Sequence, residues 1–172
     1  MKEKYQHIIL AHQAKIYKIC YGFCKEQDEV QDLFQEACIN IWLGLKFFEG
    51  KSNIATWIYR VTVNTCLLYQ RKQQKSRLVY TEQLEQVDQQ TLQKKIELEE
   101  DIELLYTCIR SLNDKDKSII MLYLEGLSYK EIEDILGMNQ NALAVRVNRI
   151  KKNIKNQFIN HGRIKSNLGK SQ

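Results

Sequence analysis

The sequence predicts an all-α protein with two small helical domains joined by a polar linker, the second a four-helix domain with a helix-turn-helix. The 172 residues include no proline and only seven glycines, so the chain lacks the turn residues that an all-β fold needs every dozen residues or so. Its apolar residues instead recur every three or four positions over long stretches. With 44% hydrophobic and 27% charged residues, the chain can form buried cores, and full disorder is excluded.

Three helices are expected in the first part of the chain. Apolar residues keep to one helical face over residues 5–23, 30–45 and 54–68, and Ser52 or Asn53 can cap the third helix. Together the three stripes predict a compact helical unit that ends near Arg71.

A second helical unit follows a change in composition. Residues 73–97 are rich in Gln, Lys and Glu and show no sustained apolar period, which indicates a linker that is at most partly helical. Four short helices are then expected, because Asn113, Ser128 and Asn139 can each cap a helix start and Gly126 and Gly137 can end one. Ser128 and Glu131 have the spacing of a capping box. The predicted divisions are a first domain over 1–72, a linker over 73–97, a second domain over 98–160 and a basic tail over 161–172.

The charges are concentrated in a few segments. Residues 71–80 carry four basic and no acidic groups, residues 81–105 carry a net charge of −6, and residues 146–172 carry eight basic and no acidic groups. Two basic segments separated by an acidic one indicate two contacts with a polyanion, or one such contact and a solvated tail.

The remaining composition favours a cytoplasmic protein without a metal or other cofactor. The N-terminal residues do not resemble a secretion signal, and no apolar run reaches the length of a membrane span, so no membrane insertion is expected. The five cysteines are odd in number, which argues against a disulfide framework. Cys20 and Cys24 could share a helix face, but they lack a second pair of ligands, so buried thiols are expected rather than a metal or redox site.

Residues 128–152, SYKEIEDILGMNQNALAVRVNRIKK, have the layout of a helix-turn-helix. Gly137 can adopt the positive φ of a sharp turn, and Leu143 and Val147 can then face inward. The outward face of the second helix carries residues that can contact base edges, namely Gln140, Asn141, Ala144, Val145 and Asn148, and others that can neutralise phosphates, namely Arg146, Arg149, Lys151, Lys152 and Lys155. The alternative is a basic amphipathic hairpin that binds nothing.

Glu133 departs from this pattern, since a small side chain is expected four residues before the turn glycine. Its carboxylate must reach solvent or find a partner, for which Arg146 and Arg149 are candidates.

The predicted third helix carries a polar stripe opposite its apolar face. Its members are Asn53, Thr56, Arg60, Asn64 and Arg71. Such a stripe suits a single nucleic-acid strand whose bases are splayed and held by hydrogen bonds and stacking. A solvated helix face explains the same residues equally well.

Three segments taken together carry a resemblance to a known family. DEVQDLFQEACINIW, FEGKSNIATWIYRVTVNTCLLYQRK and IRSLNDKDKSIIMLYLEGLSYKEIEDILGMNQNALAVRVNRIKK resemble the two conserved regions of the extracytoplasmic-function (ECF) subgroup of bacterial sigma-70 factors. The resemblance implies a sigma factor that directs core RNA polymerase to promoters and aids promoter opening, with no reaction of its own. Its implied partners are core RNA polymerase, promoter DNA and an anti-sigma factor.

The resemblance also implies roles for individual residues. Polymerase binding falls on Asp32, Gln35 and Glu36. Binding of the minus-ten element falls on Lys51, Ser52, Asn53, Arg60, Asn64 and Arg71, with Lys72 along the backbone and Trp57 supporting the loop. Binding of the minus-thirty-five element falls on Ser128, Tyr129, Lys130, Gln140, Asn141, Ala144, Val145, Arg146, Asn148, Arg149 and Lys151.

The chain departs from the family pattern at two places. Ala144 and Val145 stand where family members often have a basic or hydroxyl residue, so upstream recognition is expected to depend on neighbouring amides and on apolar contact with thymine methyl groups. Asn113 stands where a proline usually follows Leu112, which exchanges a proline helix start for a side-chain cap.

A stand-alone helix-turn-helix regulator is the alternative function. It accounts for the second domain but not for the polar stripe of the third helix. An enzyme is not indicated, because the sequence shows no phosphate-binding glycine loop and no HExxH motif.

Overall fold

The computed structural model describes residues 2–76 and 93–161, and all regular structure within them is α-helical. The all-α prediction is confirmed for these residues, whereas linker residues 77–92 and tail residues 162–172 lie outside them. The helices are α1 (Lys2–Tyr21), α2 (Gln27–Leu45), α3 (Ile54–Ser76), α4 (Gln93–Arg110), α5 (Asp114–Leu124), α6 (Tyr129–Leu136) and α7 (Gln140–Asn160).

Helices α1, α2 and α3 pack against one another and form the first core. Each helix contributes fully buried residues from its predicted apolar stripe, including Ile16, Leu33, Ile41 and Ile58. In α3 the buried side also includes Val63, which the predicted stripe omitted, whereas Leu68 of that stripe is 53% exposed. On the α2 side of this core, Asn40 donates a hydrogen bond to Thr65 Oγ1 over 3.1 Å. The capping prediction is also confirmed for Asn53, whose Oδ1 accepts the backbone N–H of Ala55 over 2.9 Å.

Two helices are longer than the sequence pattern indicates. Helix α3 continues to Ser76, four residues past the predicted first domain, and α4 begins at Gln93, five residues before the predicted second domain. The added residues include two Gln and one Lys in α3, and one Gln and two Lys in α4. These residues have high helix propensity, so a helix can extend through them without an apolar stripe.

The second core lies among α4 to α7, and its helix ends follow the predicted caps. Asn113 accepts the backbone N–H of Asp116 at the start of α5. Ser128 and Glu131 form the reciprocal capping box at the start of α6, and Gly137 ends that helix in the left-handed region, at φ +66°. Asn139 then caps α7 by accepting the backbone N–H of Asn141.

The two cores are in direct contact, because α3 packs on α5 and α6 and α1 packs on α5. Lys15 of α1 donates a hydrogen bond to the backbone carbonyl of Glu125 over 2.9 Å. Close by, Gly22 lies so near Met121 that an added Cβ would stand 2.4 Å from the methionine sulfur. The helix-turn-helix and the first three helices therefore pack into one continuous structure.

Four of the five cysteines are buried as predicted, and Cys38 is partly buried. Burial raises the pKa of the Cys24 thiol to about 12 and that of Cys38 to about 11, so both remain protonated at neutral pH. None of the described helices combines the length and the apolarity needed to cross a bilayer.

Candidate nucleic-acid interface

Helices α6 and α7 form the predicted helix-turn-helix. Leu143, Val147 and Ile150 of α7 are buried, as are Ile132 and Ile135 of α6. Because these residues fix the rotation of α7, its opposite face is exposed. That face presents Gln140, Asn141, Val145, Asn148, Arg149, Lys151 and Lys152, whereas Ala144 and Arg146 lie partly buried at its edge.

The exposed face of α7 is basic and also carries amide and apolar side chains. The helix contains no acidic residue and five basic ones between Gln140 and Asn160. Val145 is 71% exposed at its centre, an unusual position for an apolar side chain that suits contact with a thymine methyl group. Helix α7 can therefore combine phosphate contacts with contacts to base edges.

The pairing expected for Glu133 is wrong. Its carboxylate accepts Gln140 Nε2 over 2.7 Å and lies 3.5 Å from Lys130 Nζ, so neither candidate arginine is its partner. The hydrogen bond from Gln140 joins the first turn of α7 to α6. It also occupies the side-chain amide of Gln140, a residue predicted to contact bases.

Arg146 and Arg149 instead share Asp116 of α5. Arg146 Nε donates to Asp116 Oδ1 over 2.6 Å, and Arg149 Nη2 donates to Oδ2 over 3.1 Å. The Asp116 side chain is only 7% exposed. The pairing of Asp116 with the arginines was not predicted, because helical periodicity carries no information on a partner 30 positions away.

The start of α6 holds the other three residues assigned to upstream DNA. Ser128 is exposed within the capping box, where hydrogen bonds from its own backbone N–H and hydroxyl lower the pKa of Glu131. Tyr129 stacks on Tyr123 at 6.1 Å between ring centroids. Lys130 pairs with Asp134 over 3.0 Å.

A cleft of about 560 Å³ separates the loop before α3 from α6. On the loop side it is lined by Lys51, Ser52 and Asn53, and on the α6 side by the acidic residues Glu131 and Asp134. Phe47 and Phe48, which also line the cleft, and the indole of Trp57 supply apolar surface. Cations, amides and aromatic rings thus line one side of the cleft, where an unstacked base could be held.

Trp57 supports this loop from below. Its ring lies 5.4 Å from that of Phe48, and its edge packs so closely on Gly44 that an added Cβ would stand 2.8 Å away. Lys51 forms an ion pair with Glu49 within the same loop.

The structure divides the predicted polar stripe of α3. Thr56 is buried, Asn64 and Arg71 are exposed, and Arg60 donates a hydrogen bond to the backbone carbonyl of Asp134. The stripe is therefore free towards the C-terminal end of α3 and covered by α6 near its start.

The face of α2 assigned to polymerase extends beyond its polar residues. Asp32 and Gln35 are exposed, and Glu36 lies 3.8 Å from Lys72 Nζ. On the same face, Ile39 and Leu43 are 57% and 53% exposed. Neither residue was among the predicted site residues, although positions 32, 36, 39 and 43 recur at helical spacing outside the buried stripe.

Comparison with known proteins identifies two regions of one family in the chain. Residues 8–76 match the family description Sigma-70 region 2, and residues 102–154 match Sigma-70, region 4. The chain is 28% identical over 142 residues to the RNA polymerase sigma factor SigV of Bacillus subtilis, covering 82% of each protein. It is 27% identical to the ECF RNA polymerase sigma factor SigW of the same organism, covering 91% of this chain and 90% of the relative.

Solved structures show the same fold. The sigma factor RpoE from Bartonella quintana, determined in complex with the anti-sigma factor NepR, has a TM-score of 0.72 at 20% identity, over 92% of this chain and 98% of that one. CnrH, in complex with the cytosolic domain of CnrY, has a TM-score of 0.67 at 17% identity, over 93% of this chain and 90% of that one.

A stand-alone helix-turn-helix regulator is not favoured, because the first three helices match a sigma region as well as the last four. With both regions present in order and full-length relatives in the ECF subgroup, the chain belongs to the extracytoplasmic-function subgroup of the sigma-70 family and is a sigma factor that directs RNA polymerase to promoters.

Proposed function

We propose that the chain carries out promoter recognition with two separate DNA-binding surfaces while α2 holds it on core RNA polymerase. The observation that carries this proposal is the pairing, in one chain, of an acid-free recognition helix and a polar loop and helix face next to aromatic side chains. The first suits duplex DNA and the second suits unstacked bases. Polymerase then supplies all the nucleotidyl chemistry, and the chain acts in the cytoplasm as a binding protein.

The downstream surface comprises the loop residues Lys51, Ser52 and Asn53 together with Arg60, Asn64 and Arg71 of α3. Unstacking a base costs a few kcal/mol per step, and hydrogen bonds from amides and hydroxyls to the extruded base offset that cost. Asn64 is exposed and stands one turn beyond Arg60, so both can reach the same strand.

The upstream surface comprises the exposed face of α7 and the start of α6. Gln140, Asn141 and Asn148 supply amides, and Val145 supplies an apolar contact. Specificity then comes from this small set, while Lys151 strengthens binding to any sequence and Arg149 contacts phosphate groups that fix the register of α7 on the duplex.

Docking on polymerase uses the polar end of the α2 face, Asp32, Gln35 and Glu36, and the exposed apolar residues beyond it. Because the two solved relatives described above are complexes with an anti-sigma factor or a cytosolic partner domain, we include an anti-sigma factor among the partners of this chain. The domain divisions at residues 72, 97 and 160 belong to the same proposal.

The test begins with core RNA polymerase and the purified chain. We expect co-elution, and discrete new transcript starts on fragments of the source genome. The proposal would be contradicted if the chain did not co-elute with core polymerase but bound duplex DNA tightly by itself, in a salt-sensitive manner.

Asn64→Ala then tests the downstream surface. It removes one exposed amide, so transcription is expected to fall while the affinity for core polymerase is unchanged. Asn156→Ala is the matched control, because Asn156 is an exposed asparagine near the C-terminal end of α7, one turn beyond Lys152, the last residue of the exposed α7 face described above. Equal loss of transcription and polymerase binding in the Asn64 variant would contradict its role.

A further inference from the structure

We propose that Asp116 is a positioning residue for upstream promoter recognition, which orients two arginines of the recognition helix for contact with DNA. The inference rests on the proposed function of α7 as the duplex-reading helix. Asp116 itself lies on α5 and need not touch DNA.

The carboxylate of Asp116 is held in place by contacts within α5 that do not involve either arginine. Asn113 Nδ2 donates to Asp116 Oδ2 over 2.9 Å, while Asn113 Oδ1 accepts the Asp116 backbone N–H over 3.0 Å. The whole residue is 5% exposed. The hydrogen bonds to the capping residue of α5 and the burial of the side chain therefore both restrict the orientation of the Asp116 carboxylate.

Each arginine uses only part of its guanidinium on this carboxylate. Arg146 engages Asp116 through Nε and Arg149 through one Nη2 hydrogen, which leaves other N–H donors of each group free. The Arg149 side chain is 64% exposed and that of Arg146 is 28% exposed. Both guanidinium planes are thus fixed from one side while donors remain available on the other.

The balance of charge also favours contact with an anion. Two guanidinium groups share one carboxylate, so the cluster has a net positive charge. In free solution a long arginine side chain samples many rotamers, and ordering it at an interface lowers affinity. Because Asp116 orders both side chains in advance, that loss is avoided when DNA binds.

Asp116→Asn separates positioning from charge. The substitution keeps the size of the side chain but replaces one carboxylate oxygen with an N–H donor, so at least one arginine loses its acceptor while the net charge rises by one. Binding to the correct promoter is expected to weaken about tenfold. Binding to unrelated duplex is expected to stay equal or strengthen, because phosphate attraction depends on charge alone.

Asp114→Asn is the matched control. Asp114 lies in the same turn of α5 and its carboxylate is 3.4 Å from Lys117 Nζ, with no recorded contact to α7. It changes the charge by the same amount, so any effect of charge alone is common to both variants.

Arg146→Lys tests the same link from the other side. Lysine keeps the positive charge but lacks the Nε donor and the planar fork. We expect it to lose discrimination like Asp116→Asn. It also provides a test should Asp116→Asn fold poorly, which the circular dichroism melting curve of each variant will show.

The experiment uses holoenzyme assembled from core polymerase and the full chain. Affinity is measured for a promoter taken from the mapped transcript starts and for the same duplex with a scrambled upstream element, and the ratio of the two is compared among variants. A fall of about tenfold in Asp116→Asn and Arg146→Lys, with the wild-type ratio in Asp114→Asn, supports the inference.

Wild-type ratios in both test variants would overturn the inference while leaving the proposed function intact. The same is true if Asp114→Asn loses as much discrimination as Asp116→Asn. If the wild-type holoenzyme itself does not distinguish the two duplexes, upstream reading by α7 is wrong and the inference falls with it.

Discussion

Arg60 of α3 donates a hydrogen bond to the backbone carbonyl of Asp134 in α6, a residue 74 positions further along the chain. This contact joins the helix proposed to hold the minus-ten element to the first helix of the helix-turn-helix. A guanidinium bonded to α6 cannot use the same donors on DNA. The described arrangement is therefore one in which the downstream surface is partly covered, and separation of α3 from α6 frees the Arg60 Nη2 donor for a promoter strand.

The contact between α1 and α5 should control that separation. An added Cβ at Gly22 would stand 2.4 Å from Met121 Sδ, so Gly22→Ala forces the methionine or the whole of α5 to move. Overpacking of this kind typically costs about 1–3 kcal/mol. We expect a larger radius of gyration in small-angle X-ray scattering and a lower free energy of unfolding.

Two further variants test whether the expansion expected for Gly22→Ala arises from its contact with Met121. Gly44→Ala meets Trp57 at 2.8 Å within the first core, so it should destabilise the protein without expanding it. Adding Met121→Ala to Gly22→Ala makes room for the new methyl group, so the double variant should be more stable than the sum of the two single changes predicts. Strict additivity would show that Gly22 and Met121 are not in contact.

Ile39 and Leu43 should contribute to binding of core polymerase. They are 57% and 53% exposed on the α2 face that carries Asp32, and water must leave both side chains if a partner covers this face. Replacing both with serine is expected to weaken the complex about tenfold, as measured by fluorescence anisotropy. Because both are exposed, the melting temperature should change little.

Leu10→Ser is the control for this prediction. Leu10 is 49% exposed on α1, outside the α2 face, and its substitution should leave polymerase affinity unchanged. An equal loss in the Leu10 variant would indicate a general effect of surface polarity instead of a binding face.

Local features of this chain could be predicted from sequence, but long-range partners could not. The Ser128–Glu131 capping box and the left-handed Gly137 depend on residues within one turn, so their spacing was sufficient. The partners of Glu133 and Arg146 depend on how α5, α6 and α7 pack. Helical periodicity places such side chains on a face but does not choose among them.

The same limit applies to α3. Asn64 and Arg71 are exposed as predicted, but Leu68, which was assigned to the apolar face, is 53% exposed on the same side of the helix. The burial of Thr56 results from its position near the second core. Contact between the two cores is tertiary information, which no spacing within α3 contains.

The association of α1 with α4 should depend on pH through Glu103. Its Oε2 accepts the Tyr21 hydroxyl over 2.6 Å, and its Oε1 accepts Arg110 Nη1 over 2.8 Å. Partial desolvation opposes ionisation of Glu103, but the hydrogen bonds from Arg110 and Tyr21 outweigh it, so the pKa lies below its usual 4.5. Burial, followed by the bond to Glu103, raises the pKa of Tyr21 above 10.0.

The signs of these two shifts define a window of stability. A lowered carboxyl pKa stabilises the folded state fully above pH 4.5, and this contribution is lost as the pH falls through the folded value. A raised tyrosine pKa stabilises the folded state below pH 10.0 and its contribution is lost at higher pH. The contact is thus strongest between these limits.

Glu103→Gln should remove the acid dependence. Glutamine resembles the protonated carboxyl group, so the variant is expected to be about 0.2–1 kcal/mol less stable than the wild type at pH 7, as for other partly exposed ion pairs. The difference should shrink towards zero as the pH falls below 4.5, in urea unfolding followed by circular dichroism. Glu99→Gln, an exposed change on the same helix, should show no such convergence. A difference that stays constant from pH 7 to the acid limit would mean that ionised Glu103 does not stabilise the contact between α1 and α4.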